Sequence, residues 1–391
     1  MTPRALRFQL WLIVAALCGF GLVMIASTTG MMTRTEGAVT FRFVTVQAAA
    51  MGIGIVAALV IGLLGADRLR SPLLMATAAG VTLCCLAAVL VFGAEVNGAK
   101  RWINLGVVKF QPAELAKLLV VLGTAWHFAR MAERARSAWH GVLMPLAAFA
   151  VVGGMVYLTK DLGSVVVMLV VLGSMMFFAG APWWYFLGLM ASLAPAVAYY
   201  TVYAVGYRRE RILAFADPWI ADGPTGHHLR QSFIAIGSGG LLGVGLGEST
   251  AKLAFLPEKH TDFIFAVICE ELGLVGGMGV ALAFLLLVAT GLAIAAQARD
   301  LHHRLLAVGA TMVLGVQAFW NMLVVTGAVP TKGLTLPFIS YGGSSVIVCL
   351  CLVGILDAVA RQAKPVGHVT SHTRIGAAVR GGKSLRWQTE E

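Results

Sequence analysis

"LPEKHTDFIF" (256–265) runs straight into "AVICEELGLVGGMGVALAFLLLVAT" (266–290). Within a few residues the chain passes from a proline and several charged side chains into a long apolar run. Apolar stretches of about 20 residues are the length that crosses a bilayer's hydrocarbon core as helix. This one therefore decides the fold class: a membrane-spanning helix, with Asp262 at its lip. The rest of the chain agrees, because 59% of its 391 residues are hydrophobic and only 12% are charged. A soluble domain carries about a quarter charged residues.

Working outward, ten spans are expected near 10–28, 43–64, 72–94, 112–130, 140–158, 162–180, 183–205, 263–296, 305–329 and 337–360. The fold class is thus an all-α polytopic membrane protein. The basic N-terminus and apolar run that follows have the cast of a signal peptide, but the length of that run and the spans after it favour a retained first helix. An even number of spans places both termini on one side. The basic connections "GADRLRS" (65–71), "RMAERARSAW" (130–139) and "QARDLHHR" (297–304) share that side with Arg4, Arg7 and the tail from Arg361, which makes it the cytoplasm. The tail, 361–391, is basic and rich in helix breakers, and it reads as a flexible extension facing lipid or a partner. The net charge of +11 fits cytoplasmic loops held against anionic lipid. The six cysteines all lie in apolar runs, where thiols pack as small residues, so neither a disulfide framework nor a metal site is read from them.

One extracytoplasmic connection, 206–262 between the seventh and eighth spans, is far longer than ordinary loops and is expected to be functional. Its apolar part, "LRQSFIAIGSGGLLGVGLGEST" (229–250), is too short to span and should lie along the interface or dip into the bundle. "GSGGLLGVGLGES" looks superficially like a phosphate-binding loop, but no strand precedes it and no Walker lysine follows, so nucleotide binding is rejected.

Charged groups in or beside spans are costly and therefore informative. Glu114 and Lys117 sit at i and i+3 on the first turn of a helix started by Pro112. They form either a self-neutralising structural pair or a site where Lys117 faces a cavity and helps hold an anion. Arg101, beside Trp102, is either an interfacial anchor or a phosphate ligand whose planar fork suits pyrophosphate. Lys332 is a weaker candidate of the same kind. Asp161 reads as an N-cap. Glu270 and Glu271, two turns into a span, must be paired, protonated or wet. Asp262 fits an N-cap for the helix from Phe263, or a reactive carboxylate at the depth where a lipid head group meets water. His260 has no triad partner at suitable spacing, so a hydrolase is unsupported.

"GAKRWINLGVVKFQPAELAKL" (98–118), "IAIGSGGLLGVGLGES" (234–249), "LPEKHTDFIFAVICEELGLVG" (256–276) and "GLTLPFISYGGSS" (333–345) together resemble the SEDS family (shape, elongation, division and sporulation). Their wording is nearer the division members than the elongation ones. The resemblance covers most of 10–360. It implies a ten-helix peptidoglycan glycosyltransferase that polymerises lipid II at the outer face of the cytoplasmic membrane. It places the proposed catalytic residue at Asp262 and the family's loop arginine and Glu/Lys pair at Arg101, Glu114 and Lys117. It further implies a class B penicillin-binding protein as transpeptidase partner and a divalent cation, Mg or Mn, for which the sequence shows no ligand set. Two departures stand out. Thr159-Lys160-Asp161 replaces the common Gln-Pro-Asp, and Val46-Gln47 replaces an Arg-Gln pair, with Arg42 one turn earlier.

The chemistry suits those residues. Joining a sugar hydroxyl to an anomeric carbon that carries diphosphate needs a base, and the leaving group needs its charge stabilised more than it needs a proton. A lipid II flippase is the rival from another class, since Glu114, Lys117, Glu270 and Glu271 also suit a polar path. No inverted repeat supports it. A non-catalytic scaffold rests only on the basic tail.

Overall fold

The structure is a computed structural model that describes residues 1–30, 39–96, 99–104, 109–203, 214–220, 224–250, 261–331 and 333–363. His260, Lys332, the tail from residue 364 and parts of the 206–262 connection lie outside the described residues.

Helices occupy each of the ten apolar segments. They are α1 (Pro3–Gly30), α2 (Val39–Leu64), α3 (Pro72–Phe92), α4 (Pro112–Arg130), α5 (Met144–Leu158), α6 (Leu162–Phe178) and α7 (Trp183–Tyr203), then α8 (Pro224–Gly239), α9 (Ile264–Ala296), α10 (Leu301–Val325) and α11 (Gly343–Gln362). α8 is the addition, lying inside the long connection. Among the described residues, seven helices are long and apolar enough to cross a membrane. Most of the apolar window of α10 and α11 is buried, 72% and 83% respectively, against 39% or less for the other five. These two therefore form the centre of the bundle, and the others turn apolar faces outward, as expected where lipid is the solvent. The last apolar segment does not start its helix at 337. Residues 337–342 form a turn in which Phe338 takes a positive φ of 65°, and α11 begins only at Gly343.

α3 and α4 are joined by a small antiparallel sheet, β1 (Ala94–Val96), β2 (Ala99–Asn104) and β3 (Lys109–Phe110). This is a departure from an all-helical chain. Arg101 and Trp102 sit on β2 rather than on an irregular anchor loop.

α9 is 33 residues long, about 50 Å at 1.5 Å per residue and more than a bilayer core requires. It breaks at Gly273, whose φ of 67° and ψ of −167° are non-helical. The glycine-rich segment after α8 docks into that break. Val244 N–H donates to Glu270 O at 3.0 Å and Gly245 N–H to Glu271 O at 3.0 Å, while Leu274 N–H donates to Gly240 O at 2.9 Å and Val275 N–H to Leu241 O at 3.2 Å. The carbonyls and amides that an unbroken helix would pair with one another are thus satisfied by the loop, which is what an apolar setting demands. A Cβ on Gly273 would lie 2.4 Å from Gly243 N and from Leu241 O. Only glycine allows this splice.

At the other end of α11, Asp357 is fully buried. It accepts from Arg7 Nε at 2.8 Å, Trp11 Nε1 at 3.3 Å and Arg361 Nε at 2.6 Å. This cluster joins α1 to α11.

Candidate active site

Asp262 is half-buried and sits directly before α9. It does not act as the helix cap. Phe263 occupies that position, and no side chain caps it. The main chain at Asp262 is clamped. Asn321 on α10, itself buried, donates from Nδ2 to Asp262 O at 2.8 Å and to Leu334 O at 2.6 Å. One residue earlier, Ser340 Oγ donates to Thr261 O at 2.6 Å and accepts from Leu336 N–H at 2.8 Å. Gln47 on α2 holds the same turn, donating to Ser340 O at 3.2 Å and accepting from Gly342 N–H at 3.1 Å. The carboxylate lies beside Gly333. A Cβ on Gly333 would come within 2.5 Å of Asp262 Oδ2.

From this point a polar chain runs through the bundle to the other candidates. Leu334 leads to Thr335, whose carbonyl accepts from Gln317 Nε2 at 3.0 Å and whose hydroxyl donates to Ser345 Oγ at 2.9 Å. Gln317 Oε1 accepts from Lys117 Nζ at 2.7 Å, and Lys117 is ion-paired with Glu114 Oε1 at 2.7 Å. Next to Ser345, Ser344 Oγ accepts from Gln111 N–H at 3.1 Å. Gln111 Nε2 donates to Asp161 Oδ2 at 3.0 Å. Beside Asp161, Lys160 O accepts from Arg101 Nη2 at 2.7 Å.

The individual residues divide accordingly. Lys117 is wholly buried, with Glu114 and Gln317 taking its ammonium. Glu114 and Lys117 thus neutralise each other inside the bundle, and Gln317 ties the pair to α10. Asp161 caps α6 by accepting from Ser164 N–H at 3.1 Å, and it also accepts from Ser164 Oγ at 2.8 Å. Lys160 sits at φ 62°. Proline, held near φ −65°, could not occupy that position, so this turn is not one that a Gln-Pro-Asp sequence could form. Arg101 is partly exposed, with one guanidinium nitrogen on Lys160 and a buried Nε that has no partner. Glu270 and Glu271 are buried and point to different neighbours. Glu270 accepts from Ser249 Oγ, from Thr250 N–H at 2.8 Å and from Thr250 Oγ1 at 2.9 Å. Glu271 accepts from Ser27 Oγ on α1 at 2.7 Å.

Among the described residues, no three or more His, Cys, Asp or Glu side chains gather in a group fit to hold a metal ion. Asn321, Gln317, Gln111 and the serines that complete the network were not singled out from sequence. Their signal is weak: an amide or hydroxyl in an apolar helix, cheap enough to be common there.

A multi-pass helical bundle with a carboxylate fixed at the mouth of its longest loop defines the class. The chain matches the family model described as "Cell cycle protein", FtsW/RodA/SpoVE, over residues 8–365, and it belongs to that family. It is 40% identical over 372 residues to a probable peptidoglycan glycosyltransferase FtsW of Halorhodospira halophila, covering 91% of this chain and 93% of that protein. It is likewise 40% identical over 360 residues to one of Geobacter metallireducens, covering 90% and 94%. Among solved structures, a chain described under "Structural coordination of polymerization and crosslinking by a peptidoglycan synthase complex" superposes with a TM-score of 0.75 at 33% identity, covering 91% and 98%. The rod shape determining protein RodA of Thermus thermophilus gives 0.66 at 31%, covering 90% and 96%.

Proposed function

We propose that the chain is a peptidoglycan glycosyltransferase that polymerises lipid II at the outer face of the cytoplasmic membrane, serving septal wall synthesis. Ten crossings put both termini in the cytoplasm and the 206–262 connection outside, where lipid II head groups are presented. The observation that carries the chemistry is Asp262: a half-buried carboxylate at the lip of a span, with its main chain fixed by Asn321 and Ser340. Asp262 takes the proton from the acceptor sugar's 4-hydroxyl as that oxygen bonds to the anomeric carbon of the growing strand. The bond to diphosphate breaks, configuration inverts, and polyprenyl diphosphate leaves. Arg101 has guanidinium donors beyond the one on Lys160, and these stabilise the departing charge. Lys117 and Glu114 support the site from inside, through Gln317, without touching substrate.

The family resemblance and the named relatives support transfer over transport. So does the burial of Glu114, Lys117, Glu270 and Glu271, each bonded to protein groups rather than lining a wet path. A class B penicillin-binding protein is the partner, in keeping with the synthase complex named above.

The test is polymerisation of lipid II by purified protein with its partner. General-base assistance is worth about 10²–10⁴ in rate, so Asp262→Ala and Asp262→Asn should lose at least about 100-fold while remaining folded. Near wild-type polymer from Asp262→Asn removes the base role. Movement of lipid II between leaflets without glycan would favour the flippase.

A further inference from the structure

We propose that Gln317 is a positioning residue for Asp262. It holds the chain at Thr335, two residues from the Gly333 that the Asp262 carboxylate lies beside, and the buried Lys117–Glu114 pair fixes which way its amide faces. The proposal rests on the catalytic reading of Asp262, and the hydrogen exchange in its test is read independently of that reading.

Gln317 and Asn321 stand one turn apart on α10 and so share a face of that helix. Both are buried. They take hold of successive residues in the segment between α10 and α11. Asn321 Nδ2 donates to Leu334 O at 2.6 Å. Gln317 Nε2 donates to Thr335 O at 3.0 Å and reaches Thr335 Oγ1 at 3.2 Å and Ser345 Oγ, in the first turn of α11, at 3.3 Å. The Asn321 amide also donates to Asp262 O at 2.8 Å. One residue of α10 therefore joins the segment to Asp262, and the other, a turn earlier, sets where the segment lies. Gly333, directly before Leu334, is so near the reactive group that a Cβ there would come within 2.5 Å of Asp262 Oδ2. Movement of Thr335 is passed along this short stretch to the residue beside the carboxylate.

A primary amide turned end for end fills the same outline but exchanges donor for acceptor. At Gln317 both neighbours demand the same orientation. The Lys117 ammonium has only donors to offer and takes Oε1 at 2.7 Å, which leaves Nε2 for the Thr335 carbonyl. The ammonium is held in turn by Glu114 Oε1 at 2.7 Å. Replacing a buried ion pair by apolar groups is often neutral or stabilising, so stability alone is a weak reason for one. Here the pair has a use that apolar packing lacks: it presents a fixed cation to one end of an amide whose other end holds Thr335. Thr311, on the same helix and equally buried, supplies the contrast, since its Oγ1 donates to Ala307 O at 2.7 Å, one turn back on α10 itself.

The experiment uses the full chain with its transpeptidase partner. Lipid II polymerisation gives kcat and KM per folded molecule, and amide hydrogen exchange is followed across 333–345, for Gln317→Leu, Gln317→Glu, Thr335→Val and Thr311→Val. Misplacement of a reacting group by about 1 Å can cost about 100-fold in rate, so Gln317→Leu should lower kcat by about tenfold or more, with KM moving much less. Gln317→Glu keeps an acceptor for Lys117 and loses the donor to Thr335 O, so it should slow polymerisation to a similar extent with the ion pair in place. Both should raise exchange at Leu334, Thr335 and Leu336 by about fivefold or more, the scale of a lost buried hydrogen bond. Thr335→Val keeps the carbonyl that Gln317 bonds and should give a milder form of the same pattern. Thr311→Val should leave both readouts unchanged. Gly333→Ala crowds the same carboxylate, so combining it with Gln317→Glu should slow the enzyme by clearly less than the product of the two separate effects. Parent-like kcat in both Gln317 variants overturns the proposal. So does full multiplication of the Gln317→Glu and Gly333→Ala effects, or parent-like exchange at 334–336 while the rate falls. Should neither Gln317 variant fold, Thr335→Val decides on the same two readouts. Loss of the base role for Asp262 would appear separately, as activity retained in Asp262→Asn, and would leave the exchange result to stand or fall alone.

Discussion

Two aspartates sit near opposite ends of α11, and they are held in opposite ways. Asp357, about 20 Å along the helix from its start at 1.5 Å per residue, is fully buried, and its carboxylate is engaged by two guanidiniums and an indole. Asp262 is half-buried beside the turn that precedes the same helix, and the bonds from Asn321 and Ser340 grip its main chain and that of Thr261. The difference separates two uses of one side chain. The Asp357 carboxylate is a joint: its bonds to Arg7 and Trp11 hold α1 against α11. Asp262 instead takes its position through its backbone, beside Gly333, whose lack of a side chain leaves room for the Asp262 carboxylate. In the proposed reaction, position comes from the Asn321 amide and the Ser340 hydroxyl, and the proton is taken by the acid.

That contrast can be broken or sharpened by substitution. The largest stability effect should come from Lys117→Met, which leaves Glu114 buried without its cation. Breaking a buried pair this way costs about 3–5 kcal/mol, read as a large fall in melting temperature of the detergent-solubilised protein. Asp357→Ala should come next, at about 2–3 kcal/mol, reduced because Arg7 and Arg361 are each about a third exposed and can turn to water. Gly333→Ala should act on rate instead of stability. The added Cβ would crowd Asp262 Oδ2, and the displaced carboxylate should slow polymerisation by about tenfold with the melting temperature unmoved. Trp11→Phe removes one long hydrogen bond from the Asp357 cluster and should cost only about 0.5–1 kcal/mol, with no change in rate per folded molecule. A rate loss from Trp11→Phe larger than that from Gly333→Ala would erase the distinction between the two ends.

Much of this was legible in the sequence, for a physical reason. Runs of apolar residues report the solvent around a helix, so the positions of the ten helical segments could be read directly. Lone charges in such runs are expensive, so Glu114, Lys117, Asp161, Glu270 and Asp262 stood out one by one. What joins them did not. Asn321, Gln317, Gln111, Ser340 and Thr335 are neutral, and nothing in their local sequence announces that Gln317 meets Thr335, 18 residues away, or that Gln111 meets Ser344, 233 residues away. Asp357 was hidden by its place beside the basic tail, where a charge needs no explanation, and its partner Arg7 lies at the other end of the chain. The helix α8 was obscured by the glycines that follow it. The break at Gly273 was obscured because glycine is ordinary in membrane helices and only the docked loop shows which glycine is needed.

The most direct measurement pairs the two aspartates. Asp262→Asn and Asp357→Asn would be purified with the partner, their melting temperatures recorded, and lipid II polymerisation measured per folded molecule. The account predicts that Asp262→Asn melts like the parent and loses at least about 100-fold in rate, while Asp357→Asn melts lower and polymerises normally once folded. Parent-like polymerisation by folded Asp262→Asn would contradict it.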